Sequence, residues 1–429
     1  MFLRKLRDDG HQVLDTRYVI TEKPDGSIKA RFVVKGFQET SPKQSDSPTA
    51  GRETLKLFLS IVANEGWRVE GSDVRSAFLQ AEELDRNVYI QPPPELKKTG
   101  YVWKLRKPLY GLDDSSRKWF LSSSATLTDL GMAQSLHDSC LFYYHKNDKL
   151  QGLLLIHVDD YLSAGTSVFQ KEIIDKLRKK YIFGTISHHN FYFTGIHIVQ
   201  DENMQIMIDQ NKFLSGIETF NIPRKDPDMF LNREENRTLR RNTGQLNWAS
   251  SQTRPDISYD AFFMSSILNK SRYRHFKQMK KLTEKVKDEQ LSLKFQRLGE
   301  WHSLKVHVYA DASLGNTEEN GETKSVMGYL IMLTNSENIF NPIHWKTKII
   351  ERVAEDIKSA ETLSLESAVD DAIYISSMLT EIYTGRIDKP CLPLIIKEDS
   401  KSLIESLYST KKSQTEDYAG NNLQFATKT

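Results

Sequence analysis

The fold is decided by Leu153-Leu154-Leu155-Ile156-His157-Val158-Asp159-Asp160-Tyr161-Leu162, where an apolar run ends in two adjacent carboxylates. The apolar run is typical of a buried strand. Because side chains alternate between the two faces of a strand, consecutive aspartates share a face only where the chain turns. The pattern therefore predicts a tight hairpin with Asp159-Asp160 at its tip and a second strand that begins near Tyr161-Leu162.

A carboxylate beside a core strand is costly to bury unless a partner compensates its charge. A hard divalent cation is a suitable partner, since Mg²⁺ binds carboxylate oxygens and keeps water ligands that leave room for a substrate phosphate. The alternative is a solvated Asp-Asp turn, which is the common arrangement for an isolated pair. Other motifs along the chain decide between these interpretations, because the pair does not stand alone.

The length of 429 residues is enough for a full hydrophobic core and indicates two or three domains. Cys140 and Cys391 lie far apart without CxxC spacing, so neither a disulfide framework nor a zinc site is indicated. No apolar run approaches the length of a membrane span, and the first five residues do not resemble a signal peptide. The class of membrane protein is therefore not expected.

The charges are unevenly distributed, although the net charge is only +2. Between Lys270 and Arg297 there are ten Lys and Arg against three Asp and Glu, and between Glu351 and Glu381 eight acids against two bases. A basic segment beside acidic metal sites is typical of an enzyme that binds a phosphate backbone. The alternative is that both segments are solvated helix faces.

The N-terminal residues 12–37 alternate in the strand manner around a Pro24-Asp25-Gly26 turn and predict a β-hairpin. Its second strand carries Lys29, Arg31 and Lys35 at alternate positions, so the three cations share one face. Three cations on one face are suited to holding a triphosphate. A lysine-protected edge strand explains the same pattern equally well.

Further along the chain, a strand is expected to end near Asp73, and the polar, arginine-rich residues 224–242 predict a linker. In the C-terminal third, an acid follows a strand at Asp311, and Ser359 is expected to cap a helix that contains Glu361. That helix repeats Leu365, Val369 and Ile373 along one face, and a later strand ends in acids at Asp399.

Several short motifs, the acid pair among them, follow one another in a fixed order. They are Lys29-Ala30-Arg31-Phe32-Val33-Val34-Lys35-Gly36-Phe37, Ser47-Pro48-Thr49, residues 73–79, Val88-Tyr89-Ile90-Gln91-Pro92-Pro93, Pro108-Leu109-Tyr110-Gly111-Leu112, Val158-Asp159-Asp160, Phe193-Thr194-Gly195-Ile196, residues 253–258, Tyr309-Ala310-Asp311-Ala312-Ser313 and Ser359-Ala360-Glu361. In this order they resemble the reverse transcriptase and ribonuclease H region of a copia-type LTR retrotransposon Pol polyprotein. The resemblance extends over roughly residues 13–405.

The resemblance implies an α+β fold: a right-hand polymerase with fingers, palm and thumb, followed by a connection segment and an α/β ribonuclease H-like domain. Residues 1–223 would be the fingers and palm, residues 224–300 the basic thumb and connection, and residues 301–429 the ribonuclease H-like domain. Compared with the family, the chain is expected to begin inside the fingers and to be truncated or diverged at its C-terminal end.

By the same resemblance, Asp73, Asp159 and Asp160 are the catalytic palm carboxylates, which would hold two Mg²⁺ ions for nucleotidyl transfer. In such enzymes the second acid of the hairpin, here Asp160, often supports the site instead of binding the metal directly. The residues expected to bind the incoming nucleotide are Lys29, Arg31, Phe78 and Gly111. In this role Phe78 would exclude a ribose 2′-hydroxyl; the alternative is that it packs in the core.

In the second site that the resemblance implies, Asp311, Glu361 and Asp399 are metal ligands for ribonuclease H chemistry. The family pattern has a fourth acid in a final helix, and the nearest candidate, Asp417, is a poor match, so ribonuclease activity is expected to be impaired. A second departure is Asp113-Asp114-Ser115-Ser116, where the family commonly has Lys-Gln-Ala-Pro. Two acids near a triphosphate are unexpected and put the nucleotide site in doubt.

The function implied is RNA- and DNA-directed DNA polymerase. Its cofactor would be Mg²⁺ and its partners an RNA template, a DNA primer, RNA–DNA hybrid and deoxynucleoside triphosphates, with no membrane; the oligomeric state is left open. The expected location is the cytoplasm, in virus-like particles for a complete element, or the nucleus. The alternative function is a catalytically inactive retrotransposon remnant that only binds nucleic acid.

Overall fold

The computed structural model describes residues 6, 10–22, 26–40, 44–222, 224–319, 322–387, 392–411 and 423–427, with the backbone alone described for 316–319, 322–323, 408–411 and 423–427. The chain forms two compact units. The first comprises Met1–Ala50, Gly71–Lys146 and Gln151–Ile186, and the second Gly51–Glu70, Asn147–Leu150 and Ser187–Thr429. These boundaries differ from the predicted ones at 223/224 and 300/301, and the domain assignment itself stays a prediction.

The first part of the chain contains, in order, β1 (Val13–Leu14), β2 (Thr16–Glu22), β3 (Ile28–Val34), α1 (Arg52–Glu65), β4 (Val69–Val74), α2 (Ala77–Gln80), β5 (Val88–Ile90), β6 (Trp103–Leu105), α3 (Ser115–Asp129), β7 (Ala133–Gln134), β8 (Leu141–Lys146), β9 (Lys149–His157), β10 (Asp160–Gly165), α4 (Ser167–Phe169), α5 (Asp175–Lys180) and β11 (Phe183–His188). A π-helical turn, Gln170–Ile174, joins α4 to α5. Short 3₁₀ turns lie at Gly36–Gln38 and Pro94–Leu96.

The remaining described elements are β12 (Asn190–Phe193), β13 (Ile196–Gln200), β14 (Ile206–Asp209), α6 (Asn211–Ser215), α7 (Arg233–Gln252), α8 (Ser258–Ser266), α9 (Tyr273–Asp288), β15 (Leu293–Phe295), β16 (Lys305–Glu319), β17 (Glu322–Thr334), β18 (Phe340–Ile349), α10 (Ile357–Thr384), β19 (Leu394–Glu398), α11 (Lys401–Lys411) and β20 (Leu423–Thr427). In the ranges described, no helix has the length and apolar character of a membrane span.

Six strands form the sheet that carries the acid pair, in the order β11-β4-β10-β9-β8-β7. Strands β9 and β10 are antiparallel with Asp160 opposite His157, so the predicted hairpin is confirmed. Its predicted tip is wrong by one residue. The two loop residues are Val158 and Asp159, whereas Asp160 already belongs to β10. Val158 closes the turn early by adopting a positive φ of 58°, which a two-residue hairpin loop favours.

Two glycines face each other across this hairpin, since Gly152 of β9 pairs with Gly165 of β10. The Phe169 ring lies directly over them. A Cβ on Gly152 would be 2.2 Å from Cγ of that ring, and a Cβ on Gly165 would be 2.5 Å from its Cδ1. Only glycine at both positions lets the ring reach the strands and join the buried core beneath the sheet, which also contains Trp119 and Phe142.

The N-terminal hairpin is also confirmed, since β2 and β3 are antiparallel with Val19 opposite Arg31 and Thr21 opposite Lys29. The predicted Pro24-Asp25-Gly26 turn lies partly outside the described residues, which here resume at 26.

In the second unit, the predicted linker over 224–242 is wrong in its second half, because α7 begins at Arg233. A capping box starts this helix: Glu235 N–H donates to Asn232 Oδ1 and Asn232 N–H donates to Glu235 Oε2, both at 2.9 Å. Leu239 and Leu246 are fully buried in the core shared with α8 and α9. The cap and the i, i+7 leucines outweigh the polar composition that suggested a linker.

The C-terminal sheet has the order β18-β17-β16-β19-β20. Strands β16, β17 and β18 are antiparallel neighbours, whereas β19 runs parallel to β16 and β20 runs parallel to β19. Helix α1 is tied to the same unit, because Asn341 of β18 donates to Ser60 Oγ at 2.8 Å. The sequence-based prediction assigned α1 to the polymerase domain. No local sequence pattern predicted the contacts that α1 makes in the second unit.

Helix α10 corrects two predictions. Its N-cap is Asp356, which accepts a bond from Ser359 N–H at 2.7 Å, so Ser359 lies in the first turn instead of capping the helix. The predicted apolar face is wrong in part, since Leu365 is buried but Ile373 is 40% exposed. Small residues are buried beside Leu365 because the helix packs closely on the sheet, where Ser364 Oγ donates to the Asp311 carbonyl at 2.9 Å. The buried small residues are Ala360, Ser364, Ala368 and Ala372.

We expect the Gly165→Ala variant to lose about 1–3 kcal/mol in the free energy of unfolding, because the added methyl group meets the Phe169 ring. Gly244→Ala is the matched control: it lies inside α7 with nothing within 4 Å of the new Cβ. That control should gain about 0.4–1 kcal/mol. Urea denaturation measures both, and equal effects would contradict the proposed ring contact.

Candidate functional site

Two of the predicted catalytic acids lie on neighbouring strands. Strand β4 is next to β10 in the sheet, and Val74 N–H donates to the Asp159 carbonyl at 2.8 Å. Asp73 therefore lies beside the hairpin loop although it is far away in sequence. Burial and then the charges of Asp159 and Asp73 raise the pKa of Asp160 to about 6, while Lys29 acts in the opposite direction. The three acids and Lys29 thus form one electrostatic cluster.

The Asp73 carboxylate is bound to the neighbouring strand. Its Oδ1 accepts a hydrogen bond from Thr185 N–H at 2.6 Å. A Cβ on Gly184 would lie 2.5 Å from Asp73 Oδ2, so glycine leaves room for the carboxylate. Among the residues that the structure describes, Asp73, Asp159 and Asp160 do not form a group with ligand oxygens within 4.8 Å of one another. An ionised carboxylate has two oxygens with about four acceptor sites, so Asp73 can keep this bond and still bind a cation.

Three of the predicted nucleotide-binding residues, Arg31, Phe78 and Gly111, lie near Tyr110, which the sequence reasoning missed as a site residue. Burial and the Asp159 charge raise the pKa of Tyr110, and Arg31 lowers it, so both charges act at this hydroxyl. The Phe78 ring lies 4.7 Å from the Tyr110 ring, centroid to centroid, and is 8% exposed. Phe78 also belongs to the core cluster that contains Val74. Both interpretations of Phe78 therefore remain open.

Backbone pairing holds the Tyr110 loop against the cationic hairpin. Val34 N–H donates to the Tyr110 carbonyl at 2.8 Å, and Gly36 N–H donates to the Gly111 carbonyl at 3.1 Å. Gly111 has a φ of 94°, and a Cβ there would lie 2.0 Å from the Val34 carbonyl oxygen. The close contact with β3 is therefore enough to require glycine at position 111. The contact of Gly111 with the nucleotide stays a prediction.

The structure accounts for the departure at Asp113-Asp114. Asp114 is 4% exposed and forms a two-point ion pair with Arg86, with Nη1–Oδ2 at 2.6 Å and Nη2–Oδ1 at 2.9 Å. Arg86 Nε also donates to Glu39 Oε1 at 3.0 Å. One of the two unexpected acids is therefore neutralised inside the fold, and only Asp113 is exposed.

The three acids of the predicted second site meet. Asp311 on β16, Glu361 in the first turns of α10 and Asp399 just after β19 each offer a carboxylate oxygen, and these oxygens lie within 4.8 Å of one another. The register of parallel strands explains the meeting, since Tyr309 is level with Lys397. Burial, followed by nearby acids, raises the pKa of Glu361 to about 7. A set of carboxylate oxygens alone suits a hard divalent cation.

A fourth acid, Glu398, was missed as a site residue, although its position beside Asp399 in sequence was a signal. It is 2% exposed, and burial raises its pKa. Its charge acts on Glu361. The weak sequence candidate Asp417 lies outside the described residues.

The predicted basic segment is largely α9, and several of its cations are used inside the fold. Arg272 lies over the Phe230 ring, Arg274 forms an ion pair with Asp228, and Lys287 Nζ donates to the Ile217 carbonyl at 2.9 Å. A different basic surface lies on α7. This arginine groove has a volume of about 820 Å³, and its lining includes Arg233, Arg237, Arg240, Leu268 and Asn269.

The family described as reverse transcriptase (RNA-dependent DNA polymerase) matches residues 5–228. The Retrovirus-related Pol polyprotein from transposon RE1 of Arabidopsis thaliana is 25% identical over 396 residues, which are 86% of this chain and 26% of that protein. The corresponding polyprotein from transposon TNT 1-94 of Nicotiana tabacum is 25% identical over 410 residues, 87% of this chain and 30% of that protein. The chain thus spans between about a quarter and a third of these curated relatives.

Among solved structures, the native Prototype Foamy Virus protease-reverse transcriptase is 12% identical with a TM-score of 0.29, covering 100% of this chain and 52% of that chain. LC11-RNase H1 in complex with an RNA/DNA hybrid is 14% identical with a TM-score of 0.18, covering 29% of this chain and 84% of that chain. Both scores are low, so neither likeness supports a conclusion about this fold.

We expect Arg86→Met to lower the free energy of unfolding by about 3–5 kcal/mol, because it leaves Asp114 buried without its partner. Adding Asp114→Asn should restore most of this loss. Arg106→Met is the control, since Arg106 and its partner Glu83 are both exposed and such a pair contributes at most about 1 kcal/mol. Chemical denaturation of all three variants checks this, and equal losses at Arg86 and Arg106 would contradict it.

Proposed function

The chain belongs to the reverse transcriptase (RNA-dependent DNA polymerase) family, and from this premise we propose that it adds deoxynucleotides to a primer 3′-hydroxyl. Its curated relatives are Pol polyproteins of copia-type retrotransposons. The proposed synthesis by this chain is directed by RNA and by DNA. The observation that carries this proposal is the single cluster of Asp73, Asp159 and Asp160 with Lys29 on the cationic hairpin.

Each residue of the cluster has a role in the proposed reaction. Asp73, Asp159 and Asp160 would hold two Mg²⁺ ions, which when bound stabilise the attacking and leaving oxygens of phosphoryl transfer. Lys29 and Arg31 compensate the negative charge of the incoming triphosphate. Tyr110 and Phe78 provide an aromatic surface beside the acids, suited to the sugar of the nucleotide.

We further propose that the first 223 residues act as fingers and palm and residues 224–300 as thumb and connection. Residues 301–429 would act as a ribonuclease H-like domain, supported by the five-stranded sheet and the meeting of Asp311, Glu361 and Asp399. These three acids fit a divalent cation. We propose that RNA cleavage is nevertheless weak, because the acid that the family pattern has in a final helix is not matched in the sequence.

The RNA template, DNA primer and RNA–DNA hybrid are the proposed macromolecular partners. The arginine groove supports this, because Arg233, Arg237 and Arg240 follow the i, i+4, i+7 spacing of one helix face. Consecutive cations along a helix are suited to consecutive phosphates, and such contacts give affinity without reading sequence.

A second candidate function is an inactive remnant that only binds nucleic acid. The specific observation in its favour is that, among the residues the structure describes, Asp73 does not share a compact ligand group with Asp159 and Asp160. Nucleic-acid binding fits both candidates, whereas nucleotide incorporation fits only the polymerase.

We expect the chain to extend a DNA primer on an RNA template with Mg²⁺ and deoxynucleotides, while most of the RNA strand stays uncut. Asp159→Asn should lower the extension rate by at least about 10²–10³-fold, because it removes a carboxylate that would hold the Mg²⁺ ions that stabilise the charge of the transition state. Gel analysis of labelled primer and labelled template measures both products in one reaction.

Asp148→Asn is the matched control, since Asp148 is an exposed loop acid just before β9, the strand that leads to Asp159. It should extend the primer like the parent. If the folded parent and both variants give no extension, the remnant is the better interpretation. Rapid cleavage of the RNA strand would contradict the proposed weakness of the ribonuclease site.

We expect Arg233→Gln, Arg237→Gln and Arg240→Gln together to weaken hybrid binding and to reduce its salt dependence. If each arginine contacts one phosphate, the slope of log affinity against log salt should fall by about 2–3. Fluorescence anisotropy at several salt concentrations measures this slope.

Lys281→Gln with Lys285→Gln tests the predicted basic segment of α9 in the same assay, since both side chains are exposed. An unchanged slope in the arginine variant with a reduced slope in the lysine variant would assign binding to α9 instead of the arginine groove.

A further inference from the structure

Two buried carboxylates, Glu361 of α10 and Glu398 of β19, have an oxygen without a partner. Glu361 is 5% exposed and Glu398 is 2% exposed. In the part of the chain that the structure describes, Oε2 of each residue is buried and accepts no hydrogen bond. A buried carboxylate oxygen without a hydrogen bond raises the free energy of the folded protein, so we expect each of these oxygens to bind a ligand.

The other oxygen of Glu398 has a definite role. Its Oε1 accepts hydrogen bonds from the N–H groups of Asp399 and Ser400, both at 3.0 Å. These bonds fix the turn between β19 and α11, and this turn carries Asp399. One oxygen of Glu398 therefore holds the Asp399 backbone in place, while the second oxygen is left for a different partner.

The charges around Glu398 identify the kind of partner. Asp311 and Asp399 act electrostatically on Glu398, and Glu398 acts on Glu361. Among the described residues, no Lys, Arg or His forms an ion pair with any of these four acids. Four carboxylates in one partly buried cluster repel one another, and a divalent cation with oxygen preference is the ligand that compensates them.

We propose that Glu398 is a fourth carboxylate of the cation site formed by Asp311, Glu361 and Asp399. It lies beside the compact group of three oxygens and is not part of it. It acts by positioning Asp399 through Oε1 and by adding the negative charge of Oε2 to the site. The ligand is a hard divalent cation such as Mg²⁺ or Mn²⁺. This inference rests on the proposed cation role of the other three acids.

The Glu398→Gln variant isolates the charge, because the glutamine carbonyl can still accept the two backbone N–H bonds. The test uses the full chain carrying Asp159→Asn and Asp160→Asn, so that the other acid cluster contributes little to binding. We expect Glu398→Gln to raise the Kd for Mn²⁺, measured by electron paramagnetic resonance, about 10–100-fold. The Tm of the metal-free protein should stay equal or rise, because a buried unpaired charge is removed.

Two controls make the outcome specific. Asp311→Asn should abolish Mn²⁺ binding at the site. Glu381→Gln should leave the Kd unchanged, since Glu381 is 1% exposed near the other end of α10. A Kd for Glu398→Gln within twofold of the parent, with binding lost in Asp311→Asn, would overturn the role of Glu398 alone. A lower metal-free Tm in Glu398→Gln would overturn it as well, since it would reveal a partner for Oε2. No Mn²⁺ binding by the folded parent would overturn the proposed cation site itself, and the inference with it.

Discussion

The hydrogen bond from Val74 N–H to the Asp159 carbonyl is the contact on which the candidate polymerase site depends. It pairs the end of β4 with the loop of the acid hairpin, and Asp73 directly precedes Val74. Since side chains alternate along a strand, a slip of one residue would turn Asp73 to the opposite face of the sheet. Within the hairpin, Gly152 and Gly165 face each other and leave space for the Phe169 ring, which packs in the core that also contains Val74.

The same physical problem occurs at both acid clusters. Each brings several carboxylates together, and burial with mutual repulsion raises the pKa of one member, Asp160 to about 6 and Glu361 to about 7. The chain keeps these acids together although the arrangement opposes folding without a cation. Such a cost at a cluster of acids is typical of a site whose ligand contributes part of the stability.

Charge in the sequence did not reveal which side chains face a ligand. From the sequence, Asp114 was expected to disfavour triphosphate binding, but it is buried and forms an ion pair with Arg86. Arg272 and Lys287 looked like contacts to a phosphate backbone, but they bond within the fold. The arginines of α7, in contrast, lay in a segment that resembled a linker, and they line a concave surface.

Local patterns determined a large part of this protein. Strand alternation and turn residues predicted both hairpins, and the ordered motifs, through the family that they resemble, singled out Asp73, Asp159 and Asp160. They also singled out Asp311, Glu361 and Asp399, whose oxygens meet in the structure. Such signals depend on residues within a few positions of one another, and they are therefore readable from sequence. The predicted position of the hairpin tip was wrong by one residue, because Val158 adopts a backbone conformation that its side chain does not favour.

Tertiary structure decided what the local patterns left open. The buried face of α10 combines Leu365 with small residues and leaves Ile373 exposed, because the helix packs closely on β16. The unpaired oxygen of Glu398 and the burial of Asp114 depend on groups far away in the chain. Sequence determines which residues can carry charge or form a strand, whereas burial and proximity arise only when distant segments pack together. For that reason the identity of the candidate acids was readable from the sequence, and their surroundings were not.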